Sequence, residues 1–319
     1  MKNKNMNKNF NNIDIEEKRK IFLEELSKHE KDILEFEKFS GPGIKRKIQR
    51  LIYSPKNYLP YISRKIFRNF FNDKTIKLFY GKELLIDNKD DEASRLVEFK
   101  TLGGEAELRL TKFFIKNLDQ GDIFYDIGAN YGFYTCLAAE FCKEVHLFEP
   151  IPFVFDNLKD NLKDYQNVFL NNLALSDKKG KIDLFMPDVS GSSSIVKEVT
   201  QVQPYQFKQK IEVEADTLEN YFKSHNFPSV IKLDVEGAES LVIEGGLEFF
   251  KNNSPIISLE VWSPKEGGRI SMKAVEKLRN LGYQSYLINK NGELEKADGD
   301  LSIIVEKEGK GHGNFIFKK

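Results

Sequence analysis

The sequence predicts a doubly wound α/β fold, a mostly parallel sheet with helices on both faces, preceded by a basic helical extension. Three observations carry that expectation. From Asp122 to Phe317, apolar strand-like runs alternate with runs of helical spacing. A buried strand at 123–127 passes through Gly128-Ala129-Asn130-Tyr131-Gly132 straight into a helix, the strand–turn–helix junction of nucleotide-binding sheets. Before residue 75 the apolar residues recur at helical spacing amid many Lys and Arg.

The composition permits a large core: 319 residues are 40% hydrophobic and 31% charged, with 26 Phe against a single Trp. Residues 1–12 are polar and read as a frayed tail. Between Ile13 and Phe39, the positions Ile15, Phe22, Leu26, Ile33 and Leu34 share one helical face, and Ser40-Gly41-Pro42-Gly43 ends the helix. From Ile44 to Lys77 ten Lys or Arg stand against Asp73 alone, interleaved with Ile48, Leu51, Ile52, Tyr53, Tyr58, Phe70 and Phe71. Two readings of that segment stand side by side. It is a helical pair packing its apolar face on the main domain, the preferred reading, or a surface for a membrane or an anionic glycan. Pro55 and Pro60 break it into short pieces.

Thr75–Asp87 predicts two short strands around Gly81-Lys82, and Gly104–Leu118 a helix. The alternation that follows predicts strands at 123–127, 145–148, 168–173, 230–235, 256–261, 283–288 and 315–317. The helices lie at 133–141, 153–162, 238–250 and 271–280. The domains are therefore expected at 1–75, the extension, and 76–319, the α/β domain. No stretch is long and apolar enough to span a membrane and the first residues lack a signal-peptide core. Two cysteines, Cys136 and Cys142, exclude a disulfide scaffold. A cytoplasmic protein is expected, with peripheral contact at the inner membrane face through residues 44–77 as the open addition. Forty-nine basic residues balance 49 acidic ones, so nucleic acid is not an expected partner.

The chemistry concentrates at strand ends. Asp126 closes the first core strand, and Gly128 and Gly132 allow a sharp turn and close approach of a ligand. A dinucleotide fingerprint would carry glycine where Asn130 stands, and Asp126 would repel a diphosphate, so a dehydrogenase is disfavoured. A ligand cationic near the loop suits D-x-G-x-N-x-G, and S-adenosylmethionine is one. Glu149, at the tip of the next strand and before Pro150, could accept both ribose hydroxyls. Asn172 and the backbone at Leu173 and Ala174 could read an adenine edge, although strand-end Asn is also a common turn former. In VIKLDVEGAE, Asp234 and Glu236 converge on the same crevice, as base and electrostatic partner for transfer to a hydroxyl, or as caps of the next helix.

Taken together, GDIFYDIGANYGFYT, HLFEP, NLALSDKKG, GSSSI, IKLDVEGAE and the closing GNFIF resemble the FkbM family of S-adenosylmethionine-dependent methyltransferases, over about residues 100 to 319. The resemblance implies the class I methyltransferase fold, Rossmann-like, with seven strands of which the last is antiparallel. It implies O-methylation of a sugar or polyketide-type hydroxyl, and cofactor contacts at Asp126, Gly128, Asn130, Gly132 and Glu149. The activity expected is O-methyl transfer to a sugar, glycan or glycolipid precursor. The alternative is a catalytically silent cofactor-binding module docked on a membrane or glycan-assembly complex.

Other candidates remain open. Glu260 and Trp262 could wall the acceptor pocket, although core packing suits Trp262 equally. Gly191-Ser192-Ser193-Ser194 is a lid or an ordinary loop, and His312 a second base or a solvated turn. The four histidines are dispersed and no metal is expected, a cation on Asp234 with Glu236 being the one arrangement the chemistry allows.

Overall fold

The computed structural model describes residues 13–38, 44–67, 75–86, 96–187 and 207–319. The expected tail 1–12, the Ser40-Gly41-Pro42-Gly43 breaker, Phe70, Phe71 and the Gly191–Ser194 segment lie outside them. The chain divides into two compact units, Met1–Asn117 and Leu118–Lys319; the extension was expected to end at 75. No helix among the described residues is long and apolar enough to cross a membrane.

In the first unit, α1 (Ile15–Lys38) buries Phe22, Leu26, Ile33 and Phe36, whose spacing of four, seven and three residues makes one face. After α2 (Ile44–Tyr53), Pro55 opens α3 (Pro55–Phe67), where a missing N–H costs nothing. Pro60, expected to interrupt the segment, lies inside α3. The two predicted strands, β1 (Thr75–Lys77) and β2 (Glu83–Leu85), are present and pair antiparallel. They precede α4 (Glu105–Asn117), which lies along α1, with Lys112 paired to Glu30 at 2.7 Å and Arg19 donating to the Ile115 carbonyl at 2.9 Å.

The second unit begins with β3 (Ile123–Ile127), α5 (Phe133–Ala139), β4 (Glu144–Phe148), α6 (Pro152–Leu162) and β5 (Val168–Asn171). A second sheet follows from β6 (Ala174–Leu175), β7 (Gly180–Pro187) and β8 (Phe207–Asp216), in the order β6-β8-β7. The helix α7 (Leu218–Tyr221), capped by the Thr217 hydroxyl, leads to β9 (Val230–Leu233). The remainder comprises α8 (Glu239–Glu244), α9 (Leu247–Asn252), β10 (Ile256–Trp262), α10 (Gly268–Asn280), β11 (Gln284–Ile288), β12 (Leu294–Lys296), α11 (Leu301–Lys307) and β13 (His312–Lys318).

The main sheet runs β12-β11-β13-β10-β9-β3-β4-β5. β3 is parallel to β4 and β9, and β13 is antiparallel to β10 and β11. This is the class I methyltransferase arrangement with the last strand reversed. It has one departure from the expected seven strands: β12 adds an eighth at the edge, antiparallel to β11. The single helix expected over 238–250 is two, α8 and α9, because Gly245 and Gly246 sit between them; a Cβ on Gly245 would lie 2.0 Å from the Ser176 carbonyl oxygen.

Register sorts the side chains. Tyr125, Ile127, Ile231, Leu233, Ile257, Leu259, Phe315 and Phe317 alternate onto one face, and all belong to a single buried apolar cluster. The opposite face carries Asp126, Lys232 and Ser258 side by side across β3, β9 and β10. Both faces are buried, and on the second, polar groups stand among apolar ones such as Phe124, Val230 and Ile316 toward the carboxyl edge.

Candidate active site

The chain leaves β3 toward β4 and β5, then returns to place β9 on the other side of β3. Open sheets bind ligands at the carboxyl ends beside such a reversal. The turn there follows Gly128 (φ 87°), Asn130 (φ 48°) and Gly132 (φ 82°), all left-handed, a conformation Asn tolerates better than most residues. The Gly128 and Ala129 amides donate to the Phe148 carbonyl at 3.0 and 3.2 Å, and the Asp234 amide to that of Ile127 at 3.0 Å. Sequence reasoning assigned the two glycines to a sharp turn and to ligand approach; the left-handed backbone is that turn, and packing adds a second demand for glycine. A Cβ on Gly128 would meet the Asp234 carbonyl oxygen at 1.8 Å, and one on Gly132 the Leu158 side chain at 2.7 Å.

Two buried acids flank this turn. Glu149, 5% exposed, accepts from the Asn130 amide at Oε2 and the Ile151 amide at Oε1, both at 3.0 Å. Burial dominates those bonds and pushes its carboxyl up to about 7. Asp126 is 1% exposed, with Oδ2 accepting from the Thr135 hydroxyl at 2.6 Å. Its Oδ1 accepts no hydrogen bond among the described residues, with Lys232 Nζ 3.8 Å away. Desolvation raises the Asp126 carboxyl, and the Lys232 ammonium opposes that rise.

Lys232, which sequence reasoning passed over, bridges the acids: its ammonium is 3.0 Å from Asp234 Oδ2 and 5.4 Å from the Tyr134 ring centre. Asp234 is likewise raised by desolvation, against the pull of Lys232. Glu236 stands in the turn past β9 in a left-handed conformation (φ 53°), followed by Gly237 at φ 92°. The helix that follows is given no side-chain cap bond at its N-cap, Ala238; Glu239, also missed, instead ties down the turn before it, its Oε1 accepting from the Val235 and Gly237 amides, each at 3.1 Å. Its carboxyl, buried, is pushed up to about 7.

Farther along the edge, Glu260 Oε2 accepts from the Trp262 indole at 2.7 Å, and Oε1 lies against His312 Nδ1 on the neighbouring strand. Burial alone would raise the Glu260 carboxyl. The charge and hydrogen bond of His312, the indole and Lys232 outweigh that and hold it below the ordinary range. Trp262 also packs on Ile270, which is the core-packing reading of it. The Asn172 side chain donates to the Glu149 carbonyl at 2.8 Å, while Ala174 is buried with Ile151, Val154, Leu184, Val213 and Ala215. Cys136 and Cys142 are buried and form no disulfide. Among the described residues no His, Cys, Asp and Glu cluster is arranged to hold a metal ion. The missed residues did carry a signal: Lys232 lies one pleat repeat before Asp234, and Glu239 one helical turn past Val235.

The family model "Methyltransferase FkbM domain" matches residues 126–285, half of the chain. The 2-O-methyltransferase NoeI of Sinorhizobium fredii (strain NBRC 101917 / NGR234) is 30% identical over 159 residues, 45% of this chain. That alignment covers 65% of the relative's length, just under two thirds. A solved methyltransferase FkbM from Methylobacillus flagellatus KT superposes with a TM-score of 0.40 at 11% identity, over 64% of this chain and 44% of that one. Fibrillarin from Aeropyrum pernix, solved with S-adenosyl-L-methionine, gives 0.36 at 11% identity, over 66% and 74%. At such scores the fold assignment rests on the strand order and register, and membership on the family match: the chain belongs to the FkbM methyltransferase family.

Proposed function

We propose that this chain transfers the methyl group of S-adenosylmethionine to a hydroxyl of a sugar, glycan or glycolipid precursor. The observation that carries the reading is the row of acids at the strand reversal, Glu149 and Asp126 beside the left-handed turn and Asp234 beyond it. These residues fit the cofactor: among the described residues Asp126 Oδ1 is a buried acceptor without a hydrogen bond, and a crevice lined by carboxyl groups suits a cationic, not a diphosphate, ligand. Asp126, Gly128, Asn130, Gly132 and Glu149 would hold it, with Asn172 and Ala174 toward the adenine. When bound, it supplies a methyl group made electrophilic by the sulfonium.

The chain's own part is alignment and proton removal. In this reading Asp234 and Glu236 serve the reacting centre. Asp234 accepts the hydroxyl proton, and its raised carboxyl makes it the stronger base. Lys232 fixes its direction through the 3.0 Å ion pair. Transfer to an oxygen is supported by the name of the 2-O-methyltransferase relative, and the carbohydrate acceptor is what the resemblance to the FkbM family implies. A cytoplasmic site of action, on a surface-polysaccharide precursor, completes the proposal.

The test incubates the chain with tritiated cofactor and methyl glycosides bearing free hydroxyls. We expect label in a glycoside with the wild type. Asp234→Asn should lower the rate about a hundredfold or more while S-adenosylhomocysteine still binds. Cofactor binding with no transfer to any acceptor would favour the silent module.

A further inference from the structure

Helix α2 is built inside out. Of its ten residues none is buried, and only Gln49 and Arg50 escape full exposure. Arg50 turns toward the protein, its guanidinium 5.2 Å from the Phe36 ring centre and 5.6 Å from that of Tyr58. The face with Ile44, Ile48, Leu51 and Ile52, at helical spacing i, i+4, i+7 and i+8, therefore turns outward. Ile44 is 74% exposed and Ile52 63%. Of the ten large apolar side chains exposed among the described residues, six fall between Ile44 and Leu59. Soluble proteins seldom leave apolar surface clustered in this way without a partner. The structure thus departs from the preferred sequence reading, in which this face packed inward.

The charge around the stripe selects the partner. Lys45 and Lys47 border it on either side, with Arg46 and Arg50 behind, and 44–59 contain no Asp or Glu. A second copy on the same face would bring two such basic rims together with no acid between them. An anionic bilayer supplies what both parts need, acyl chains for the isoleucines and headgroup charge for the lysines. Ten residues of helix, about 15 Å long, are too short to cross a membrane and suited to lying in its surface. We propose that α2, with Leu59 at the first turns of α3, docks this protein on anionic lipid bilayers. This stands independently of the methyl-transfer reading.

The test sediments the full chain with vesicles of phosphatidylglycerol and phosphatidylcholine in equal parts, and with phosphatidylcholine alone. The wild type should pellet with the mixed vesicles and stay in solution with the neutral ones. Ile48→Glu with Ile52→Glu, and separately Lys45→Glu with Lys47→Glu, should each weaken partitioning about tenfold or more. Both pairs are exposed, so the thermal midpoint should stay at its wild-type value, which separates lost docking from lost folding. The proposal is overturned if the wild type ignores anionic vesicles, or if Ile48→Glu with Ile52→Glu pellets as before. A concentration-dependent dimer dissolved by those same substitutions would overturn it too.

Discussion

Gly128→Ala should leave the protein barely folded at ambient temperature. The new methyl carbon would sit 1.8 Å from the Asp234 carbonyl oxygen, a backbone atom fixed because the adjoining Asp234 amide bonds the Ile127 carbonyl. Relief requires the tips of β3 and β9 to part, which breaks that bond and shifts the crevice itself. The left-handed backbone at φ 87° adds its own cost for any side chain. Strain and overpacking together should cost about 3 kcal/mol or more, a large share of a typical folding free energy. The midpoint of urea unfolding, followed by far-ultraviolet dichroism, reads it directly. A midpoint within error of wild type would show that the two strand tips are not packed as described.

Affinity for S-adenosylhomocysteine should rise with pH through neutrality, and Glu149→Gln should remove the rise. Burial holds the Glu149 carboxyl near 7, whereas the proposed ribose hydroxyls donate to its ionised form. Going from about pH 6 to about pH 8 should therefore tighten binding roughly tenfold in the wild type. The glutamine variant should bind about a hundredfold more weakly at the upper pH, having lost charge-assisted bonds, and its profile should be flat. Folding stability moves the other way. The folded values of Glu149 and Glu239, about 7, lie above the ordinary 4.5. Their contribution is full below that lower value and is lost as pH rises toward the upper one, by up to about 3 kcal/mol each. Titration calorimetry across pH, beside thermal melts in the same buffers, resolves the two opposing slopes.

Much of this was legible beforehand because the sheet is buried on both sides. Strands as apolar as Ile123–Ile127 and Val230–Leu233, interrupted only by Asp126 and Lys232 and followed by glycine turns, announce both their place in the fold and the edge that carries chemistry. What was not legible depends on contacts across strands. Nothing near Lys232 in sequence shows that it faces Asp126 on the next strand, and Thr135 reads as an ordinary helical residue until its hydroxyl is seen on Asp126. The β7–β8 pair was missed although Lys210–Glu214 alternates with period two, since its partner strand ends at Pro187, many residues earlier. The outward apolar face of α2 was misjudged for a plainer reason. Amphipathic spacing says which residues share a face and is silent on which way the face turns.

The most direct test of the central claim is the structure of this chain with S-adenosylhomocysteine bound. The account predicts the ligand at the carboxyl tips of β3, β4 and β9, its ribose on Glu149 and its amino-acid moiety toward Asp126. A ligand resting elsewhere, or a crevice left empty under saturating ligand, would contradict it.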